Sequence, residues 1–152
     1  AVPFEVNCTG GSYITPNLAD VSISNLHFVN GVRAHIFVNW LNPFKEQKLV
    51  VIGDKQMAVF NDTEPTEKLV IYNQHVDFDG RIPVLKKAER EVVELPTAEP
   101  LRTQCETFLN CIQTGEKPLT DAQSGIDVLR VLQACQISLQ SNGRPTSLSE
   151  VN

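Results

Sequence analysis

The sequence predicts an α+β fold, in which a large, mostly antiparallel β-sheet is followed by two C-terminal helices packed on one face of the sheet. Three observations support this fold class. Apolar residues alternate with period two through the first two thirds of the chain, and tight-turn signals separate the alternating runs. The apolar period then becomes helical after about residue 99. Helices that follow a run of strands are typical of α+β proteins.

The strongest strand signal lies in residues 32–40. The even-numbered residues from Val32 to Trp40 are apolar, whereas the odd-numbered ones include Arg33, His35 and Asn39. Residues 19–28 predict the partner strand, with a bulge where the apolar phase shifts after residue 23. An Asn-Gly turn at 30–31 is predicted to join the two strands, because both residues accept positive φ.

Further strands are predicted at 56–60, 68–72 and 91–95, with a tight turn at 77–80. Residues 48–53 form a continuous apolar run, which indicates a central strand. Because the turns between these segments are short, most of the strand pairs are expected to be antiparallel.

Two helices are predicted after the strands. The first begins at Pro100, which suits a first helical turn, and ends at Gly115. The second begins at Thr120, where Gln123 would complete a capping box, and ends at Gly143. The predicted buried face of the first helix is Leu101, Cys105, Phe108, Leu109 and Ile112, and that of the second is Gly125, Val128, Leu129, Leu132, Cys135 and Leu139.

The chain is predicted to be a single domain over residues 1–152. Its length is roughly that of one domain, and no linker-like segment interrupts it. The polar stretch 144–152 is compatible with an edge strand or with a frayed end.

Composition and charge narrow the classes of function. The net charge is -5, from 13 basic and 18 acidic residues, which argues against nucleic-acid binding. No apolar run reaches the length of a membrane helix, which is about 20 residues, so no membrane partner is expected. The four cysteines suggest neither a disulfide framework nor a metal site. They are therefore interpreted as buried free thiols, and the location as cytoplasmic.

Short catalytic motifs are missing from the sequence. There is no G-x-G-x-x-G dinucleotide fingerprint, no phosphate-binding P-loop, no G-x-S-x-G and no H-E-x-x-H. The histidines His27 and His35 are predicted to lie near opposite ends of the first hairpin, which disfavours a paired site. Two Asn-x-Thr sequons, at 7–9 and 61–63, leave a secreted glycoprotein as a weaker alternative.

Several passages resemble the C-terminal part of the Gfo/Idh/MocA oxidoreductases. Residues 39–45, Asn-Trp-Leu-Asn-Pro-Phe-Lys, followed by a strand and Gly53, resemble the family's S-W-L-x-P-x-K … V-x-G, although Asn39 replaces the usual Ser. Residues 99–118 resemble its E-P-L … F-x-x-x-I-x-x-G-x-x-P, and residues 125–138 resemble the passage that follows. The similarity spans the whole chain and is greatest to members acting on sugars and sugar nucleotides.

The resemblance implies a function that this chain performs only in part. In the family, the sheet contributes to the substrate pocket, and its open face forms the subunit interface of a dimer or tetramer. The catalytic Lys, in an E-K-P motif, and the catalytic His and Asp precede the segment matched here. No catalytic, cofactor-binding or metal-binding residue is therefore predicted. NAD(P) is expected only in a full-length enzyme that has the Rossmann domain, which this chain is expected to lack.

Two functions are compatible with these expectations. The first is the substrate-binding and oligomerisation domain of an NAD(P)-dependent sugar or sugar-nucleotide dehydrogenase, inactive alone. The alternative is a stand-alone homodimeric scaffold or small-ligand-binding module of the same ancestry. If the chain binds a sugar, the candidate residues are Trp40 for stacking, Lys45 for a phosphate or carboxylate, and His35 for a hydroxyl.

Overall fold

A computed structural model describes residues 1–73, 75–86 and 89–151. The chain divides into two compact units: the first comprises residues 1–42 and those from Gln104 onward, and the second comprises Pro43–Thr103. The α+β class and the antiparallel pairing are confirmed, but the described strands form three sheets in place of one large sheet.

The first unit contains a four-stranded antiparallel sheet. Its strands are β1 (Glu5–Gly11), β2 (Val21–His27), β3 (Arg33–Asn39) and the short β10 (Thr146–Ser147), in the order β10-β1-β2-β3. The C-terminal segment therefore pairs as an edge strand, and a short 3₁₀ helix, Leu148–Glu150, follows it.

The hairpin between β2 and β3 forms at the predicted place but with a different geometry. Only Gly31 of the turn has positive φ, at 85°, and five residues connect the strands. The pairing register between β1, β2 and β3 runs without interruption. The predicted bulge in β2 is therefore wrong, because polar Asn25 and exposed Ile23 occupy the face opposite the core and keep regular alternation.

The second unit contains a four-stranded sheet and a separate hairpin. The sheet has the order β4-β5-β6-β9, from β4 (Lys48–Ile52), β5 (Met57–Asn61), β6 (Leu69–Tyr72) and β9 (Arg90–Val93). The hairpin pairs β7 (His75–Asp79) with β8 (Ile82–Lys86). The predicted central strand β4 lies at the edge of its sheet, so its apolar run is not explained by burial on both sides.

Helix α2 (Ala122–Gln140) packs on the first sheet through a face that only partly matches the predicted one, since Cys135 and Leu139 of the predicted stripe lie on the packed side. Its buried residues are Ala134 and Ser138, and the core cluster consists of Val6, Leu26, Ala134 and Val151. Small side chains allow the helix to approach β1 closely, because Gly10 leaves room beside the Leu139 side chain. Val128, Leu129 and Leu132, which belong to the same predicted stripe, are exposed.

The ends of both helices follow the expected chemistry with one change. Pro100 is the first residue of α1 (Pro100–Thr114), and Gly115 follows it with φ 73°. The cap of α2 is Asp121 rather than Thr120, since the Asp121 carboxylate accepts the Ser124 N–H at 2.8 Å. No residue of α1 is buried, so the predicted burial of its apolar face is wrong and its packing on the sheet stays a prediction.

Candidate functional site

The open face of the first sheet is polar near the β2–β3 hairpin. Because side chains alternate along a strand, the odd-numbered residues of β1, β2 and β3 project away from α2. Asn7, Asn25 and His35 lie directly opposite one another across the three strands. The neighbouring row on the same face is Glu5, His27 and Arg33. Two adjacent rows thus carry amide, imidazole, carboxylate and guanidinium groups.

These residues line a depression of about 330 Å³, here called the polar pocket. Its lining residues are Asn7, Asn25, His27, Arg33, Ala34 and His35. This volume lies at the small end of the range for ligand pockets, roughly 300–1,000 Å³, and would suit a single sugar ring. Opposite residues on neighbouring strands lie about 5 Å apart at Cβ, so a ligand on this face would meet several of these groups at once.

One atom in the polar pocket has an unmet hydrogen-bonding requirement. The Asn7 side-chain oxygen is buried and, within the described part of the chain, accepts no hydrogen bond. Leaving a buried acceptor unpaired costs about 1–3 kcal/mol.

The charges of the polar pocket are unevenly paired. His27 Nδ1 lies 3.2 Å from Glu5 Oε1, and the Phe4 ring flanks the imidazole at 6.4 Å between centroids. Arg33 Nη1 donates to the carbonyl oxygen of Val32 at 3.2 Å. In residues 1–73, 75–86 and 89–151, no carboxylate forms an ion pair with the Arg33 guanidinium.

The pocket brings His27 and His35 together, contrary to the prediction that they lie near opposite ends of the hairpin. In the observed register, His27 pairs with Arg33, and His35 is two residues further along the same face of β3. The prediction failed because it did not fix the register: both histidines lie near the turn end of their strands. The signal that could have identified the site is the row of polar odd-numbered residues, once β1 is aligned with β2.

Trp40 lies at the end of β3, with 82% of its surface exposed. By strand alternation it belongs to the face opposite His35, so the two candidate residues do not share one site. Its backbone N–H donates to the Asp20 carbonyl oxygen at 2.8 Å. The buried Asp20 carboxylate accepts the N–H groups of Tyr13 and Ile14 at 2.6 and 2.8 Å. Asp20 therefore fixes the backbone beside Trp40.

Lys45, the third candidate, lies in the second unit. Its Nζ is 4.0 Å from Asp62, whose carboxylate also contacts Lys68 Nζ at 3.2 Å. Asp62 and Lys68 line a second depression of about 390 Å³, which is otherwise bounded mainly by apolar residues and prolines: Phe60, Pro65, Val93, Leu95, Pro96, Ala98 and Pro100, with Thr66 and Thr97. The side chain of Lys45 is largely exposed, so it could meet an anionic ligand group.

A bidentate ion pair in the second unit has a structural explanation. Arg90 donates to both carboxylate oxygens of Glu67, at 2.6 and 3.0 Å, which joins β9 to the segment before β6. The Arg90 guanidinium lowers the pKa of Glu67 through this hydrogen bond, and Glu67 raises the pKa of Arg90. Neither residue lines a described depression.

The cysteines depart in part from the buried-thiol interpretation. Cys8 is buried, Cys111 and Cys135 are half-buried, and Cys105 is exposed because the face of α1 that carries it is exposed. All four are free thiols. Burial raises the pKa of Cys135, so this thiol is a poor nucleophile.

Within the described ranges, no three His, Cys, Asp or Glu side chains form a group that could hold a metal ion. None of the described helices is both long and apolar enough to cross a membrane.

Residues 6–148 match the Gfo/Idh/MocA family in the part described as "Oxidoreductase family, C-terminal alpha/beta domain". The fold and the family match together define the class of protein. This chain belongs to the Gfo/Idh/MocA oxidoreductase family and comprises its C-terminal domain. The expected membership is thereby confirmed. A comparison with curated proteins finds no significant match.

Solved structures share the fold at low sequence identity. UDP-N-acetylglucosamine 3-dehydrogenase GnnA from Acidithiobacillus ferrooxidans has a TM-score of 0.78 and 20% identity, over 93% of this chain and 42% of that one. A putative NADPH-dependent oxidoreductase from Desulfitobacterium hafniense has a TM-score of 0.71 and 21% identity, over 99% of this chain and 43% of that one.

The WlbA dehydrogenase from Bordetella pertussis, in complex with NADH and UDP-GlcNAcA, has a TM-score of 0.65 and 17% identity, over 96% of this chain and 39% of that one. This chain therefore spans about two fifths of the length of the proteins it resembles. At these identities, the similarity establishes the fold.

The described residues do not fit a dinucleotide. The Gly10-Gly11 pair lies within β1 rather than in a turn before a helix, and the Tyr13 ring occupies the space beside Gly11. A pyrophosphate site needs a glycine turn at a helix N-terminus. No chemical step through a nicotinamide is therefore assigned to these residues.

Proposed function

We propose that this chain is the substrate-binding and oligomerisation domain of an NAD(P)-dependent sugar or sugar-nucleotide dehydrogenase and is inactive alone. The observation that carries the proposal is the polar pocket, where His35 faces two amide side chains and an arginine in a chain of this family. Amide, imidazole and guanidinium groups are suited to the hydroxyl-rich surface of a sugar. The GnnA and WlbA structures make the sugar-nucleotide class the leading choice.

The proposal that this chain is inactive by itself follows from how hydride transfer is divided between the cofactor and the protein. The nicotinamide supplies the hydride chemistry, while the protein binds, orients and provides a base. The proposed enzyme therefore needs a Rossmann-type domain as the partner of this chain, with NAD(P) bound there, in the cytoplasm. Purified chain mixed with NADH and an oxidised sugar should show no absorbance change at 340 nm above background. Sustained NADH oxidation would refute inactivity.

Substrate binding can be measured with the chain's own fluorophore. Trp40 is the single tryptophan, so intrinsic emission reports on one residue. We expect a UDP-hexose to bind in calorimetry and, if Trp40 stacks on the sugar, to shift that emission as well. His35→Ala should weaken binding about 2- to 10-fold through loss of one hydrogen bond. Gln123→Ala, an exposed change on α2, is the matched control.

Trp40 and Lys45 are tested in the same titration. Because Trp40 lies on the sheet face opposite His35, Trp40→Ala should weaken binding only of a ligand that extends beyond the polar pocket. Lys45→Ala should weaken binding only of ligands that carry a phosphate or carboxylate. A titration in which all three variants match the wild type would discard these residues as the substrate contacts. Binding of no saccharide by the wild type would shift the weight to the alternative of a scaffold.

Self-association is proposed through the open face of the first sheet, which is the face away from α2. Ile23 and Phe37 lie directly opposite each other on this face, with 44% and 54% of their surfaces exposed. An exposed apolar face usually meets a partner, and two-fold self-association is the commonest arrangement. Light scattering should find a dimer or tetramer that Phe37→Lys dissociates, whereas the control Leu119→Lys leaves it intact. A wild-type monomer at micromolar concentration would refute this.

A further inference from the structure

We propose that the edge strand β4 pairs, in antiparallel orientation, with β4 of a second copy of this chain, about a two-fold axis at Val51. This interface goes beyond the proposed function, which places self-association on the open face of the first sheet, whereas β4 belongs to the second unit. A chain with two different self-complementary surfaces can build an assembly larger than a dimer.

The first observation is that β4 exposes apolar side chains on both faces of its sheet. Because side chains alternate along a strand, Leu49 and Val51 lie on one face, and Val50 and Ile52 lie on the other. Their exposed fractions are 60%, 56%, 45% and 77%, in that order. Such a continuous run is typical of a central strand, yet β4 lies at the edge. A strand alongside β4 would give these side chains cross-strand neighbours on both faces.

The second observation is that β4 lacks the features that discourage edge pairing. Natural edge strands carry charges, prolines or bulges that prevent a second chain from adding to the sheet. The opposite edge of the same sheet, β9, carries Arg90 and Glu91, and the β7–β8 hairpin carries Asp77 and Pro83. Residues 49–52 contain no such residue and pair with β5 without a bulge.

The third observation identifies the backbone groups that a second strand would meet. The Gly53 N–H donates to the Gln56 carbonyl oxygen, and the Asp62 N–H donates to the Gln47 carbonyl oxygen, both at 2.9 Å. Hydrogen-bonded and non-hydrogen-bonded pairs alternate along an antiparallel ladder, so the odd-numbered residues of β4 bond to β5. The N–H and C=O groups of the even-numbered residues therefore point outward, and no backbone hydrogen bond between described residues uses them.

Charge favours one register for the pairing. Two copies of β4 related by a two-fold axis must place one residue opposite its own copy, because opposite residues share a sheet face. With Val51 opposite itself, Lys48 lies opposite Asp54 of the second copy, and symmetry repeats this pair at the other end. With Val50 opposite itself, Glu46 would lie opposite Asp54, and like charges directly opposite are destabilising. Centring on residue 49 or 52 would place a charged residue opposite an apolar one.

The two charged residues are available for this contact. Lys48 and Asp54 are both exposed, and among the ion pairs between described residues none involves either of them. The same register places Val50 opposite Ile52 of the second copy on each side of the axis. Both residues belong to the outward-pointing set, so these two pairs would exchange about four backbone hydrogen bonds.

The test is sedimentation velocity on the full chain carrying Phe37→Lys, which disrupts the first-sheet surface and leaves β4 unchanged. We expect this variant to form a dimer, and addition of Val51→Lys to convert it into a monomer, because two lysines would meet at the axis. Val76→Lys on β7 is the matched control and should leave the dimer intact, since Val76 and Val51 are both 56% exposed. Circular dichroism verifies that each variant folds.

Charge reversal tests the register. Lys48→Asp and Asp54→Lys should each weaken the dimer about 2- to 30-fold, because each replaces two opposite-charge pairs by like-charge pairs. The double variant restores opposite charges and should recover the affinity of the unreversed chain. If Asp54→Lys strengthens the dimer, or the double variant stays weak, the register centred on Val51 is overturned.

Hydrogen exchange at the Val50 and Ile52 amides locates the contact. These N–H groups should exchange more slowly as the dimer forms, and fast exchange should return with Val51→Lys. Protection that persists on dilution to the monomer would overturn the proposal, since the edge would then be covered within one chain. A Phe37→Lys chain that is already monomeric would overturn the β4 interface alone, whereas a monomeric wild type would refute both interfaces. Particles that grow without limit would overturn the closed two-fold pairing.

Discussion

The hydroxyl of Ser138 joins α2 to the first sheet, and its removal is the most direct test of that packing. The β1–β10 ladder ends after Val6 pairs with Thr146. Beyond this point, the Cys8 N–H donates to Ser138 Oγ at 2.9 Å, and Ser138 Oγ donates to the Arg144 carbonyl oxygen at 2.6 Å. The Ser138 hydroxyl therefore takes the place of a direct strand-to-strand hydrogen bond, at a residue with 0% exposure.

Ser138→Ala leaves the Cys8 N–H without an acceptor in a buried position. The Arg144 carbonyl oxygen keeps a weaker donor, Thr146 Oγ1 at 3.3 Å, so only the Cys8 N–H loses its hydrogen-bond partner. The expected loss in the free energy of unfolding is the cost of one buried unpaired donor, about 1–3 kcal/mol. Gly143 N–H still bonds the Ser138 backbone carbonyl oxygen, so the end of the helix is retained.

Urea unfolding followed by circular dichroism at 222 nm measures this loss. Ser141→Ala, an exposed change at the end of the same helix, is the control and should alter the unfolding free energy by less than about 0.5 kcal/mol. Hydrogen exchange at the Cys8 amide gives a local readout and should accelerate in Ser138→Ala alone. A variant with unchanged stability and an unchanged Cys8 amide would refute the bridging role.

Three further changes test other parts of the first unit. Gly143→Ala should destabilise the chain in urea, since φ is 79° and the new Cβ would lie 2.6 Å from Thr9 Cγ2; unchanged stability would contradict that conformation. Leu26→Ala should cost about 2–5 kcal/mol by the same assay, because Leu26 belongs to the buried cluster. Lys117 lowers the pKa of Asp121, the N-cap residue of α2. The ion pair therefore stabilises the folded chain at pH values above the unfolded-state pKa of this carboxyl, and the stabilisation is lost as the pH falls through the lower folded-state pKa. Asp121→Asn should therefore flatten the acid limb of the stability–pH profile, and an identical profile would disprove the linkage.

The sequence predicted the local elements of the fold because turn and cap chemistry is local. Gly31, Gly80, Gly115 and Gly143 adopt positive φ at turns and helix ends where the sequence marked them. The period-two alternation of β3 was equally readable. These features depend on residues within a few positions of each other, so no tertiary information is needed.

Packing required information that the periodicity lacks. Helix α2 has two faces with apolar character, and the larger residues suggested Val128, Leu129 and Leu132 as the buried one. The structure buries Ala134 and Ser138 instead, since small side chains let the helix lie close to β1. The preference for bulky residues misled the prediction, and Gly10 on β1 was the overlooked signal of a close approach.

The polar pocket was only partly foreseen because it depends on register across three strands. His35 was proposed from the sequence, but Asn7 lies nearly thirty residues earlier. A one-residue slip between β1 and β2 would turn Asn7 toward α2 and replace it with a core residue. The buried Val6 prevents that slip, since it must face Leu26 and Ala134. The same apolar contact that holds the helix to the sheet therefore places the Asn7 acceptor in the pocket, and a substitution that relaxes the Val6 packing should weaken ligand binding as well as stability.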